Sequence, residues 1–470
     1  MTIATKPETT RPIPMAAMAT TAPSNREHRR RMIGLGVLVS AQFVVMLDTS
    51  IVNVALPSIQ ADLALSSAGL SWIINAYVLT FGGLLLLFGR VADLLGRRRM
   101  FIAGSALFTV GTLLAATAVN EWMLVGGRII QGAGAAALSP AAMSLLMLNF
   151  PGDRRARAMS LWGAASAVGG ATGVLAGGVL TGTFGWSSVF LVTVPASLAA
   201  VVLARRVLDD TPHGARRRFD APGAVTITAA VLALVDGALG AADRGLGSPS
   251  VLIALVASAA LLGAFIAIER HTIDPLVPLE LFRSRVLSTG VGLAALGGAA
   301  RASTFVLIAL YLQKALNMSP EHAGLAMVPT SITGFIVNLV LLPKALRAIG
   351  PRRSLVVGLL ILAAGHLWLA YAPTAHGYPV AVLPGLLLVA SGVALSFTPT
   401  TMVIVSVAPE THTGLASGLA SSATQVGAAL GTAAFTAIAL TAGNGFTAAF
   451  TGAAAVALAT AVLGCSIVRR

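Results

Sequence analysis

The chain is poor in what a water-soluble protein of its length needs. Of its 470 residues only 10% are charged, where soluble domains carry roughly 25%. That is too little charge to cover a surface facing water. A single cysteine, Cys465, excludes an intrachain disulfide and offers no thiolate cluster to a metal. No metal-ligand grouping, nucleophile motif or phosphate loop is found, so a metal site and an enzyme are both unexpected. The net charge of +14 raises the question of nucleic acid. Its distribution argues otherwise: the basic residues form short clusters between apolar runs instead of lining one groove-facing element.

Apolar runs dominate what remains. Residues of apolar type make up 56% of the chain, and the mean hydropathy is +0.86. The first 32 residues are the exception, Thr-, Pro- and Ala-rich and then basic from Arg26 to Arg31. Such a prefix has no apolar face to bury and reads as a disordered tail. The apolar run after it extends to about Ile59, too long for the roughly 7–15 apolar residues of a signal peptide. It reads as a first membrane helix.

A spanning helix needs about 20 mostly apolar residues. That rule places fourteen spans, near 33–58, 69–89, 100–118, 122–148, 157–182, 187–206, 221–241, 250–269, 286–312, 322–343, 353–372, 379–402, 412–440 and 446–467. Of the 31 Lys and Arg, Arg128 and Arg301 fall within spans, and Arg244 and Lys314 in loops on one side. All the others fall in the N-terminal tail, the even-to-odd loops or the C-terminus. Basic residues stay on the cytoplasmic side, so both termini are expected there, in the plasma membrane.

The most informative segment runs Gly89-Arg90-Val91-Ala92-Asp93-Leu94-Leu95-Gly96-Arg97-Arg98-Arg99, a basic turn between two apolar spans. A second copy, Pro343 to Arg353, aligns Gly350 with Gly96 and Arg353 with Arg99, and carries Arg347 where the first has Asp93. Each copy lies two helices into its half, so the chain reads as two parallel repeats. The halves are 33–206 and 286–470. Between them, 207–285 holds two inserted helices and their linkers.

The Gly-x-x-x-Asp-x-x-Gly-Arg-Arg pattern resembles the loop between helices 2 and 3 of the major facilitator superfamily of transporters. Fourteen spans resemble its drug:proton antiporter branch. Leu47-Asp48-Thr49-Ser50-Ile51-Val52-Asn53-Val54-Ala55-Leu56-Pro57 is similar to that branch's first-helix signature, and Arg128-Ile129-Ile130-Gln131-Gly132-Ala133-Gly134 to its fourth-helix motif. Pro275 to Arg283 looks like the branch's linker before the ninth helix. The fifth span carries an antiporter motif through Gly169, Gly173, Gly177 and Gly178, with Val174 where the family has Pro and Ser160 where it has the first Gly. The resemblance implies an all-α membrane protein of two six-helix halves plus two inserted helices. It implies a proton-coupled exporter of small amphiphilic compounds, such as drugs or antibiotics, working by alternating access. The alternative is a dedicated exporter of one endogenous metabolite or self-made antibiotic.

Few ionisable residues lie in the spans. A carboxylate there is costly, so Asp48 is the candidate proton-coupling acid, with interhelical bonding as the plainer role. Arg128 resembles a fourth-helix Arg thought to assist proton movement, with a structural ion pair as its alternative. Arg301, deep in its span, marks a cavity or a partner carboxylate. Gln42, Asn53, Asn75 and Gln425 are candidates for the substrate pathway, or for interhelical hydrogen bonds. The resemblance makes Gly89, Asp93, Gly96, Arg97 and Arg98 a conformational latch, Asp93 accepting from a helix N-terminus across the interface. The glycine stripe lets two helices approach closely. No cofactor is expected beyond a proton gradient, and the partners are substrate and bilayer, with a monomer sufficient for function. Neither the tenth nor the thirteenth span contains Asp or Glu, so neutral, weakly anionic or singly charged compounds suit the cavity better than dications.

Overall fold

The computed structural model describes residues 25–150, 153–208, 220–245, 247–371, 377–409, 412–440 and 444–468. Among them the regular structure is helical throughout. The first half comprises α1 (Asn25–Asp62), α2 (Ser67–Leu95), α3 (Arg97–Ala116), α4 (Glu121–Asn149), α5 (Asp153–Phe184) and α6 (Ser187–Val207). The inserted pair is α7 (Ala221–Arg244) and α8 (Pro249–His271). The second half comprises α9 (Arg285–Ala315), α10 (Pro320–Ile336, continuing through Val337–Leu341 to Leu342–Ala348), α11 (Gly350–Tyr371), α12 (Gly377–Ser406), α13 (Thr413–Ala439) and α14 (Gly445–Val468).

One expectation is corrected at the start of the chain. Helix α1 begins at Asn25, so residues 25–32 belong to it and not to a disordered tail. No Gly or Pro intervenes between Asn25 and Gly34, and Arg and Met are good helix formers. The rest of the expected tail, 1–24, lies outside the described residues, as does 209–219 of the linker.

Among the described residues thirteen helices are long and apolar enough to cross a membrane. The exception is α13, which is 27 residues long but rich in Gly, Ala, Ser and Thr. Its composition follows from its packing. Gly414 and Gly418 lie against Gly89 and Leu85 of α2, while Gly427 and Gly431 lie against Ala295 and Ala299 of α9. Small residues let backbones meet where lipid offers no hydrophobic drive for helices to associate.

The repeat is visible in how helices pair. In the first half α1 packs on α5, α2 on α4 and α3 on α4; in the second, α9 packs on α13, α10 on α12 and α11 on α12. Each pairing recurs eight helices later. Gly96 (φ 102°) and Gly350 (φ 74°), aligned in the sequence, both take the left-handed backbone that a side chain resists. Between the halves, α2 meets α13 and α5 meets α10, while α7 covers α2 and α13 from outside.

The halves are not equally close along their length. At the end carrying Gly96 and Gly350, here called the basic end, they share one core: Leu146, Met147, Met159 and Trp162 of the first half pack with Leu342, Leu346, Met402 and Val405 of the second. At the opposite end Ile51, Ile59, Ile73, Leu124 and Trp186 form a cluster drawn, among the described residues, from the first half alone. The second half there has its own cluster around Tyr311, Phe435 and Phe450. The conformation is therefore clamped at the basic end.

The stripe on α5 sets how close α1 can lie. A Cβ on Gly169 would stand 2.6 Å from the Phe43 carbonyl oxygen, and one on Gly173 would stand 2.7 Å from Ser50 Cβ. Gly177 is nearly as tight, 3.0 Å from the Ile51 oxygen, whereas Gly178 faces open space. Gly173→Leu is expected to lower the melting temperature of the purified protein, since overpacking costs about 1–3 kcal/mol or more. Gly178→Ala should leave it unchanged. Equal melting of the two variants would contradict this packing.

Candidate functional site

Asp48 is fully buried and its two oxygens are both engaged. Oδ2 accepts from Arg128 Nη1 at 2.7 Å, and Oδ1 accepts from Gln131 Nε2 at 2.7 Å. The residues reach one another because α4 carries Arg128 and Gln131 three positions apart, hence on one face, and that face looks at α1. Arg128 is over-provided with acceptors. Its Nη1 also donates to Gln131 Oε1 at 2.6 Å and its Nε to the Ile73 carbonyl at 3.2 Å. The guanidinium lies 4.2 Å over the Tyr77 ring, a cation–π contact. Gln131 Nε2 donates further to Thr112 Oγ1 at 2.9 Å. Side chains of α1, α2, α3 and α4 thus meet in one buried network.

The energetics explain why the network is so complete. Each isolated ion in an apolar interior costs several kcal/mol even after relaxation, and an unmade bond to either would leave that cost standing. Sequence reasoning singled out Asp48 and Arg128 but could not place them together. It gave Gln131 no role, although the Arg-x-x-Gln spacing carried the signal. Thr112 and Tyr77 left no mark in the sequence.

The pathway candidates divide by depth. Gln42 and Asn53, with Thr49 between them, follow one stripe of α1 turned roughly 100° from Asp48 at about 3.6 residues per turn. Gln42 is buried and donates to Ser166 Oγ of α5 at 2.8 Å. Thr49 and Asn53 are exposed, and Asn53 Nδ2 bonds only back to the Thr49 carbonyl at 3.1 Å. The stripe is covered toward the basic end and open toward the other, as the two separate cores require. Asn75 on α2 is half-buried. Gln425 on α13 is half-buried too, facing Gly82 of α2. Arg301 on α9 is 4% exposed, and its guanidinium stands 5.7 Å over the Phe397 ring of α12. It takes no part in the Asp48 network. His366, by contrast, contacts Thr304 Oγ1 at 2.7 Å inside the second half.

At the basic end, Asp93 bridges the halves. Its Oδ1 accepts from Gly414 N at 2.9 Å and its Oδ2 from Leu415 N at 2.7 Å, the orphan donors at the start of α13. Arg97 closes the group from the other side, its Nη2 2.8 Å from Asp93 Oδ1. A Cβ on Gly89 would stand 2.7 Å from the Gly414 carbonyl oxygen, so glycine is what allows Asp93 to reach α13. Arg98 Nη1 donates to the Leu208 carbonyl at 3.2 Å, and Ser144 meets Thr413 at 2.9 Å, hydroxyl to hydroxyl. The second copy does not mirror this. Arg347, which stands where Asp93 does, donates at 3.2 Å to the Pro343 carbonyl of its own helix instead of reaching across the halves. Sequence reasoning missed a further pair: Asp220 and Glu269, both buried around Gly223, accept from Gly223 N at the start of α7 and from Val277 N after α8.

The family model for the Major Facilitator Superfamily matches residues 38–432 and, a second time, 290–470. The second match falls on the second half, as a repeat would. Among characterised relatives, the chain is 37% identical to a cephamycin export protein of Amycolatopsis lactamdurans, over 84% of this chain and 82% of that one. It is 36% identical to a puromycin resistance protein of Streptomyces alboniger, over 86% of this chain and 81% of that one. Of solved structures, a human organic anion transporter superposes with a TM-score of 0.69 at 14% identity, covering 94% of this chain and 100% of that one. A proton:xylose symporter superposes with a TM-score of 0.64 at 16% identity, over 93% and 95%. These two share the fold alone. With a family match over most of its length, a doubled helical architecture and two export or resistance proteins above 30% identity, the chain belongs to the major facilitator superfamily.

Proposed function

We propose that the protein exports small amphiphilic compounds, drugs or antibiotics among them, in exchange for protons. The observation that carries this reading is the buried Asp48–Arg128–Gln131 network beside the exposed Thr49–Asn53 stripe. Its relatives' export and resistance functions support the class of cargo. The basic clusters at the clamped end support a cytoplasmic assignment for that end and for both termini. The described conformation is then closed to the cytoplasm and open outward.

Asp48 is the group that exchanges the proton. Ionised, it takes both donors and neutralises Arg128. Protonated, it releases Arg128, which keeps Gln131 Oε1 and the Ile73 carbonyl as acceptors. Those spare acceptors keep the guanidinium hydrogen-bonded in either state. Asp93 and the start of α13 hold the outward-open state until substrate and proton change the balance between the two conformations.

The test is protection of a bacterial host stripped of its own exporters. Neutral or singly charged amphiphiles should be tolerated at several times the usual dose, and the protection should vanish in Asp48→Asn. Cells should gain no protection against bis-quaternary compounds, because the second half offers no carboxylate within its tenth or thirteenth span, Glu321 standing at the very start of α10. Strong, Asp48-dependent protection against a dication would overturn the cargo assignment.

A further inference from the structure

Arg301 differs from every requirement that Arg128 meets. It is 4% exposed, yet Nε, Nη1 and Nη2 have no hydrogen-bond partner among the described residues. No carboxylate among the described residues bonds to it. Residues 285–470 contain two acidic side chains, Glu321 in the first turn of α10 and Glu410 between α12 and α13, both at helix ends by sequence. Asp48 is committed to Arg128, and Asp93 to Arg97 and α13. A buried guanidinium left in this condition is a standing cost, because removal from water is compensated only by a partner charge with good hydrogen bonds.

The surroundings are shaped around that charge. A Cβ on Gly297 would stand 2.6 Å from Arg301 Nη1, so glycine there leaves the guanidinium room to lie back along α9. Long side chains on helices point toward the N-terminus, which for α9 is the clamped, basic end. The charge therefore lies toward the basic end of α9, with the Phe397 ring of α12 beside it. One residue on, Gly298 lets α9 pack directly against the Thr424 backbone of α13. The result is a cation with free donors and an aromatic face in a place sheltered from bulk water.

We infer that Arg301 and Phe397 form the binding site for an anionic head group, and that the transported amphiphiles include monocarboxylates. The inference rests on the exporter reading above and narrows its cargo. A planar carboxylate matches the two-pronged donor edge of a guanidinium and satisfies it with two charge-assisted bonds. The apolar body of the compound lies against the aromatic face. Bound cargo thus supplies the compensation that the protein withholds. A dication would add two positive charges to those of Arg301 and Arg128, in keeping with the poor handling expected of such compounds.

The experiment compares two probes that differ in one group, N-dansyl-leucine with a free carboxylate and its carboxamide. Binding to the purified full-length protein is followed by dansyl fluorescence. The wild type should bind the carboxylate at least about tenfold more tightly, the size expected of one charge-assisted pair. Arg301→Gln should reduce that ratio to near one, and Arg301→Lys should keep part of it. Because the charge is uncompensated in the empty protein, Arg301→Met should fold and melt at a higher temperature than the wild type, which guards against loss of binding through misfolding. Equal affinity for the two probes in the wild type, including no binding of either, would overturn the inference. So would a preference that survives in Arg301→Gln. Asp48-dependent uptake of a neutral amphiphile without carboxylate preference would remove this inference and leave the exporter reading standing. Carboxylate preference without gradient-driven transport would do the reverse.

Discussion

Asp93→Asn is expected to slow transport by about tenfold or more while the amount of protein in the membrane stays the same. The carboxylate accepts two backbone N–H donors of α13, at 2.9 and 2.7 Å, and pairs with Arg97. Asparagine keeps one acceptor oxygen and presents an amide to the other donor. It also removes the negative charge that faces Arg97. Bonds to a charged group contribute about 1.5–3 kcal/mol each, and about 1.4 kcal/mol is a tenfold change in an equilibrium. Losing one such bond is therefore enough to move the balance away from the state clamped at the basic end. Gly89→Leu should act in the same direction by bulk alone, since even its Cβ would meet the Gly414 oxygen at 2.7 Å and Gly418 Cα at 3.0 Å.

The clamp can be read independently of transport. Ser144 and Thr413 stand hydroxyl to hydroxyl at 2.9 Å across the halves. With Cys465 replaced by serine, a Ser144→Cys, Thr413→Cys pair should form a disulfide readily. Addition of Asp93→Asn or Gly89→Leu should slow that reaction. Unchanged cross-linking together with normal transport would refute the latch.

Asp48→Asn is expected to abolish gradient-driven uptake, a loss well beyond about tenfold, because it removes the only carboxylate in the network. Exchange of labelled for unlabelled substrate at equal pH should persist, since that requires the conformational cycle but no net proton movement. Stability gives a second readout. Removing one partner of a buried ion pair typically costs about 3–5 kcal/mol, chiefly the burden of the charge left behind. The asparagine carbonyl, Gln131 Oε1 and the Ile73 carbonyl moderate that cost by continuing to bind Arg128. Asp48→Asn, Arg128→Met, which removes both charges, should therefore melt above Asp48→Asn alone while remaining inactive in gradient-driven uptake. A double variant melting below both single variants would mean that the pair contributes stability beyond mutual neutralisation.

The helices were legible in the sequence because lipid enforces them. Each needs a long apolar run, so even fourteen spans and their boundaries could be placed to within a few residues in most cases. The one helix that apolarity understates is α13, which the same rule places at 412–440 and the structure at Thr413–Ala439. The beginning of α1 was misjudged because a basic run looks the same in a tail and in a helix leaving the membrane. Side-chain partnerships were far less legible. Asp48 and Arg128 lie 80 positions apart, and Asp93 meets Gly414 321 positions away; neither spacing carries a signal. Rarity marked Arg301 as unusual, but only the structure reveals that its guanidinium has no hydrogen-bond partner among the described residues. Composition locates such costly residues, and three-dimensional packing decides whether each cost is met inside the protein or left for a ligand.

Proton exchange at Asp48 is tested most directly by watching the protons. The full-length protein is placed in liposomes containing a pH-sensitive dye, and an amphiphilic substrate is added outside with no pH gradient imposed. Substrate moving inward should drive protons outward, making the interior alkaline, and this signal should vanish in Asp48→Asn. Substrate entry without any pH change, or an equal change in the Asp48→Asn protein, would contradict coupling at this residue.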